Sequence, residues 1–199
     1  MYFSIEGQDG VGKTTMINKL KEDLKDENII FVQEPYGENS PKLCKDIKNI
    51  IYNYDYLTKY QYNLLFSVAR IELYNKVISP ALAFNKTVIS DRSLYSTFAY
   101  NYDFDNFNDN VNAYINNLKE HIDDYQLPTL IVLNPTEELR QKHINKRGKL
   151  NHLDNTNQEE VKKKYHMLLN NEHITSIIIN YDNDEEGYQK LLNRIRGLL

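Results

Sequence analysis

Residues 3–15, Phe3-Ser4-Ile5-Glu6-Gly7-Gln8-Asp9-Gly10-Val11-Gly12-Lys13-Thr14-Thr15, limit what this chain can fold into more than any other stretch. The apolar-leaning run from Met1 to Ile5 predicts a short buried strand, a Gly-rich turn follows, and Thr14 is expected to open a helix. Gly7, Gly12, Lys13 and Thr14 fill G-x-x-x-x-G-K-[ST], the pattern of a phosphate-binding loop. Glycines let such a loop bend and bring its N–H groups close to a polyphosphate. The helix start aims its positive dipole end at the same anions. Lys13 would stand near the β- and γ-phosphates, and the Thr14 hydroxyl would bind Mg²⁺. The expected ATP contact runs through Gly7, Gln8, Asp9, Gly10, Val11, Gly12, Lys13, Thr14 and Thr15.

The remaining chain alternates strand and helix patterns. Ile29 to Val32 predicts a second buried strand, ended by Gln33-Glu34-Pro35, since proline cannot continue the ladder. Ser40 reads as a helix N-cap with Pro41 at the first helical position. Residues 60–84 carry a long helical pattern that Pro80 should kink or split. Thr87 to Ser90 is a third strand, running into Asp91-Arg92, and Ser93 opens another helix. Residues 101–112, rich in Asn and Asp, read as a polar surface loop before a helix over 111–122. Leu130 to Leu133 is a fourth strand, with Thr136 capping the helix after it. Residues 147–157 are charged and short of apolar side chains, as a lid would be. A helix over 159–169, a fifth strand at 177–179 and a final amphipathic helix over 185–199 complete the pattern. This order implies one α/β domain over 1–199, a five-stranded parallel sheet with helices on both faces, and ligands beyond the carboxyl ends of the strands.

Those ends carry the candidate chemistry. Asp91 stands where a Mg²⁺-associated carboxylate of a phosphate-loop enzyme belongs, in part acting through water, and Arg92 beside it offers a planar fork suited to phosphate. Phe66 and Arg70 lie four apart on one helix face, so an aromatic plane and a guanidinium could meet one base. Arg140, Lys142, Lys146, Arg147 and Lys149 form a basic run at the expected lid. The net charge of −4 gives no strong basic field, so nucleic acid is not an expected partner. One cysteine, Cys44, excludes an intrachain disulfide and fits a reducing, cytoplasmic setting. No apolar run approaches a membrane span, and the loop starts too near Met1 to leave room for a targeting segment. The five histidines lack metal-ligand spacing, so the expected metal is Mg²⁺ carried with ATP.

Taken together, these pieces resemble the thymidylate kinase family of P-loop NTPases, enzymes that phosphorylate dTMP with ATP. The resemblance rests on residues 3–14, Glu34-Pro35, Leu64-Leu65-Phe66-Ser67-Val68-Ala69-Arg70, Pro80-Ala81-Leu82-Ala83, Val88-Ile89-Ser90-Asp91-Arg92, Ser96, Ala99-Tyr100 and Lys146-Arg147-Gly148 with Leu150. It covers nearly the whole chain. The resemblance implies that Asp9 holds the sugar 3′-hydroxyl, Phe66 stacks the thymine and Arg70 bonds its edge. It implies that Arg92 holds the acceptor phosphate and Tyr100 walls off a ribose 2′-hydroxyl. Glu34, Ser96 and Asn101 would complete the acceptor site. Gly10 after Asp9 matches the subgroup whose catalytic arginine comes from the lid, which points to Arg147 beside Lys13, Arg92 and Asp9 as catalytic groups. Family members are often homodimers, and the 60–84 pattern offers a surface for that.

Four positions depart from the family pattern: Gln33 before Glu34-Pro35, Ser93 after Asp91-Arg92, Asn101 after Tyr100, and His152 where a lid arginine is usual. Asp-Arg-Ser is common in deoxynucleoside kinases, so a free deoxynucleoside is the alternative acceptor. The Arg147-Gly148 lid, the Phe-x-x-x-Arg helix and Asp9 favour a monophosphate. A GTPase-type switch is a further alternative. Asp184-Glu185-Glu186-Gly187 matches its D-x-x-G spacing but precedes the last helix, and an N/T-K-x-D motif is missing from the sequence.

Overall fold

A computed structural model describes residues 1–147 and 157–199. Five parallel strands run in the order β2 (Ile29–Gln33), β3 (Thr87–Asp91), β1 (Tyr2–Glu6), β4 (Thr129–Pro135), β5 (Ser176–Tyr181). Strand alternation divides the interior in two. Tyr2, Val88, Leu130 and Val132 point into one core, closed by α2 (Lys42–Asn53), α3 (Lys59–Leu73), α4 (Ser79–Ala83), α5 (Leu94–Asn101), α6 (Phe107–His121) and α8 (Gln158–Leu169). Phe3, Ile5, Ile89, Ile131 and Leu133 point into the other, beneath α1 (Lys13–Asp23), α7 (Glu137–Arg147) and α9 (Asp184–Arg196). A sheet covered on both faces has strands apolar on both sides, which is why these strands read as continuous apolar runs. No helix among the described residues is long and apolar enough to cross a membrane.

Three local expectations are corrected. Pro41 is the N-cap of α2 rather than its first helical residue, and Ser40 Oγ accepts from the Gly37 N–H instead of capping. The 60–84 pattern is split, as expected, but the break lies just before Pro80 rather than at it. Residues Tyr74–Ile78 form a π-helical turn, with the Ser79 N–H donating to the Tyr74 carbonyl. A proline ring crowds the carbonyl four residues earlier, and the wider turn just before it relieves that conflict. The Asn/Asp-rich segment is only half loop: α6 already starts at Phe107, which is buried together with Val111 and Ile115.

β1 pairs with β3 so that Ile5 lies opposite Asp91. The phosphate loop and Asp91-Arg92 therefore leave the sheet side by side, where successive connections run to opposite sides of β1. Open α/β sheets bind ligands at such a point.

Candidate active site

The loop of residues 7–12 is shaped by what packs on it. Gly7 has φ +144, and a Cβ there would lie 2.8 Å from the Leu133 carbonyl oxygen. Gly10, at φ +84, sits so close to α7 that a Cβ would lie 2.6 Å from Ile144 Cγ1. The same helix holds the loop by polar contacts. Arg140 Nη1 donates to the Asp9 carbonyl at 3.1 Å, and His143 Nδ1 lies 2.7 Å from the Gly10 carbonyl oxygen. Arg140, part of the basic run expected at the lid, is instead buried and held by Glu137 through two bonds, at 2.8 and 2.7 Å. The α1 N-terminus has Gly12 as N-cap and no side-chain cap, so its first N–H groups lack intrahelical acceptors, as an anion site requires. Lys13 is buried, its Nζ donating to the Gly7 and Gln8 carbonyls at 3.1 Å each. Burial, then the Arg92 charge, lowers its pKa to about 8.

Beside the loop lies a second cluster. Arg92 takes a left-handed backbone, φ 70, which a non-glycine residue adopts only under constraint. Its N–H donates to the Ile5 carbonyl, and Ser90 Oγ donates to its carbonyl at 2.5 Å. So held, the guanidinium pairs with Asp9 Oδ1 at 2.9 Å, donates to Ser96 Oγ at 2.9 Å, and lies 5.2 Å from the Tyr100 ring centre. The Tyr100 hydroxyl is the one buried side-chain polar atom among the described residues with no hydrogen-bond partner. Gln158, at the start of α8, accepts from the Asp9 N–H at 3.0 Å and donates to Asp9 Oδ2 at 3.3 Å.

A third cluster is buried between β2, α3, α5 and α6. Arg70 is 3% exposed. Its Nε and Nη2 meet the Glu34 carboxylate, with Nη2 at 2.9 Å from Oε2. Nη1 donates to Tyr114 Oη at 2.6 Å, and Nη2 to Thr97 Oγ1 at 2.8 Å. Burial raises the Glu34 carboxyl above its ordinary pKa, and the Arg70 charge and hydrogen bonds offset only part of that rise. A guanidinium has five N–H donors, so four are committed and one on Nη1 remains for a ligand. Phe66, a turn before Arg70, is half-buried, and Asn101 Nδ2 donates to Asn63 Oδ1 on the same helix at 2.8 Å.

Thr14 and Asp91 line one cleft of about 370 Å³ that opens along α1 and β2. Glu38 lines the same cleft. A hydroxyl and a carboxylate sharing one cleft suit Mg²⁺, which keeps several waters and takes its other ligands from substrate phosphates. Among the described residues no group of three or more His, Cys, Asp or Glu is placed to hold a metal ion. Arg147 is the last residue of α7; its side chain and residues 148–156 of the expected lid lie outside the described residues.

Sequence reasoning missed Ser90, Thr97, Tyr114, His143, Gln158 and Glu6, on which the Ser93, Ser96 and Tyr165 hydroxyls converge, as parts of this site. Of these, Glu6 carried a signal: a carboxylate at the end of a buried strand must have partners. Asp184-Glu185-Glu186-Gly187 is the first turn of α9, capped by Asn183, and Gly187 packs against the Tyr181 ring. That spacing match thus has a structural cause.

The thymidylate kinase family model matches residues 5–191. A thymidylate kinase of Nautilia profundicola is 38% identical over 112 residues, 56% of this chain and 54% of that protein. One from Chlorobium luteolum is 41% identical over 103 residues, 50% of this chain and 47% of that protein. The chain thus matches these two over about half their length. One from Chlorobaculum parvum is 28% identical across 100% of this chain and 96% of its own. The crystal structure of thymidylate kinase from Ehrlichia chaffeensis has the same fold, with a TM-score of 0.71 at 20% identity over 98% of both chains. None of these matches favours a deoxynucleoside kinase. With the family model reaching from the phosphate loop into the last helix, this chain belongs to the thymidylate kinase family.

Proposed function

We propose that this chain transfers the γ-phosphoryl group of ATP to dTMP, giving dTDP and ADP. The observation that supports this best is the Asp9–Arg92 pair beside the phosphate loop. A guanidinium fork set against a triphosphate cradle suits a second phosphate, that of the acceptor. In this reading Gly7 to Thr15 cradle the donor, and Lys13 leaves the loop carbonyls for the transferring group. Thr14 and Asp91 would hold Mg²⁺, which would offset the charge of the donor phosphates when bound. Arg92 exchanges part of its pairing with Asp9 for the acceptor phosphate, freeing Asp9 for the sugar 3′-hydroxyl. Phe66 stacks the base and the spare Arg70 N–H meets its edge. Tyr100 walls off a ribose 2′-hydroxyl. Ser96 and Glu34 act from behind, through Arg92 and Arg70. Arg147 supplies the lid cation. Catalysis then comes from position and from charge placed on the transferring group.

The proposal extends to a cytoplasmic setting, consistent with a buried free thiol at Cys44. It extends also to a homodimer. Leu64, Val68 and Ile71 leave an exposed apolar line on α3, and Leu43 and Ile50 do so on α2, which packs beside it. Exposed apolar groups at helical spacing on neighbouring helices suit a partner surface.

The test is a coupled assay of ADP release with dTMP, dUMP, dCMP and thymidine side by side. Hydrogen bonds to charged groups contribute about 1.5–3 kcal/mol each, and a bidentate pair makes two. dTMP should therefore exceed thymidine in kcat/KM by at least about 100-fold, and Arg92→Ala should erase most of that margin. Thymidine used as well as dTMP would assign the chain to the free-nucleoside alternative.

A further inference from the structure

Glu6 is 0% exposed and carries no ion pair with a described residue, yet four hydroxyl groups converge on it. Ser4 Oγ and Ser93 Oγ donate to Oε1 at 2.8 and 2.9 Å. Ser96 Oγ and Tyr165 Oη donate to Oε2 at 2.6 and 2.9 Å. The donors come from β1, α5 and α8, so the cage is assembled by the tertiary fold. An ionised carboxylate has about four acceptor sites and no donor, and four hydroxyl protons fill it. Hydrogen bonds to the charged form compensate a buried anion for lost water.

The direction of one bond in the cage matters outside it. Arg92 Nη1 can only donate, so Ser96 Oγ must accept from it and turn its own proton elsewhere. Glu6 Oε2, at 2.6 Å, takes that proton. The carboxylate thereby fixes the Ser96 hydroxyl with a lone pair toward Arg92. Ser93 fits the same logic: its Oγ accepts from the Tyr95 N–H and sends its proton to Glu6. The serine that departs from the family pattern therefore contributes a donor to this cage.

We infer that Glu6 is a positioning residue: the buried carboxylate orients Ser96, and through Ser96 it aims the Arg92 guanidinium at the acceptor phosphate. This rests on the proposed role of Arg92. Glu6→Gln keeps the size of the side chain but presents an amide with both donor and acceptor. An N–H turned toward Ser96 would reverse the bond and set the Ser96 proton against Arg92.

A double-mutant cycle of Glu6→Gln and Ser96→Ala tests the inference, with melting temperature recorded for each variant. Glu6→Gln should lower kcat/KM for dTMP about 30-fold or more and leave KM for ATP within about twofold. Ser96→Ala should act in the same direction. The double variant should be no worse than the more damaged single variant, because both changes break one relay. Independent, multiplying losses would overturn the inference, as would equal losses toward ATP and dTMP in variants of unchanged melting temperature. A second readout needs neither substrate. The Arg92 guanidinium NMR signals, assigned by their loss in Arg92→Ala, should shift in both Glu6→Gln and Ser96→Ala. If Glu6→Gln fails to fold, Ser96→Ala alone must still shift those signals and lower kcat/KM for dTMP selectively; unchanged signals overturn the relay. Wild-type protein inactive on dTMP would refute the proposed substrate, while the NMR comparison would still decide whether Glu6 orients Arg92.

Discussion

Lys13 folds back on its own loop, its Nζ donating to the Gly7 and Gln8 carbonyls. Burial, with the Arg92 charge behind it, brings its pKa from 10.5 to about 8. The folded protein therefore binds that proton more weakly than the unfolded chain does. Between about pH 8 and 10.5 the unfolded chain holds more protons, so ligand-free stability gains from this group as pH rises through that window. A polyphosphate beside the ammonium favours the charged form again. Binding of ATP at pH 8 should then take up about half a proton, since a group with a pKa of about 8 is half neutral there. The uptake should fade below pH 7 and grow toward pH 9. Calorimetry in buffers of different ionisation enthalpy measures it directly. Lys13→Met should abolish the uptake; identical proton counts in both proteins would mean that Lys13 is not the group that meets the phosphates.

At the scale of elements, α7 clamps the phosphate loop, through Arg140 on Asp9, His143 on Gly10, and Ile144 against the Gly10 Cα. His143 also meets Asp184 at the start of α9, at 3.0 Å. Removing a buried charged hydrogen bond costs about 1.5–3 kcal/mol. Arg140→Met should therefore speed amide exchange across residues 9–12 by about ten- to a hundredfold, with smaller changes in the central strands. Unchanged loop exchange would show that the clamp adds nothing. The clamp should also be acid-sensitive. Its hydrogen bonds to Arg140 hold the Glu137 carboxyl at about 2, so this contribution is complete above the usual carboxylate pKa near 4.5 and fades as pH falls toward 2. Glu137→Gln should flatten that limb. Little of this clamp was legible in the sequence, where Arg140 and His143 sit in a helix with few apolar residues and no motif. The strands, by contrast, were legible because burial on both faces forces continuous apolar runs. The π-helical turn at Tyr74–Ile78 left no mark, since its residues keep helical periodicity and only Pro80 signals a disturbance. The start of α6 was hidden because Phe107 is a lone apolar residue among Asn and Asp, and its burial comes from tertiary contact. The loop of residues 7–12, the placement of Asp91-Arg92 at the end of β3, and the common helix of Phe66 and Arg70 were readable from spacing. The cage around Glu6 was not, because Ser4, Ser93, Ser96 and Tyr165 share no periodicity.

For the whole molecule, α2 and α3 pack together, and each carries exposed apolar side chains among the described residues. Leu64, Val68 and Ile71 recur at four and three residues along α3 and are 49%, 48% and 36% exposed. On α2, Leu43 and Ile50 are spaced seven apart, and both are exposed. The line on α3 starts two residues before Phe66 and ends one residue after Arg70, so the helix that would bind the base also carries the apolar surface. A dimer through this layer would stiffen α3 from outside while Glu34 and Tyr114 hold Arg70 from inside. Stable interfaces bury about 800 Å² per partner around a core short of charge. Light scattering of the wild-type chain at micromolar concentration should give about 47 kDa, twice the 23.5 kDa of one chain. Leu64→Glu combined with Val68→Glu places two charges in that core and should halve the mass. Both side chains are exposed in the single chain, so the fold itself should survive with a near-native circular dichroism spectrum. If α3 needs the outside support, the monomer should lose affinity for dTMP more than for ATP, whose loop lies on the other side of β1 and is held by α7. A wild-type mass of one chain at micromolar concentration would refute the dimer and leave the apolar line on α3 as ordinary surface.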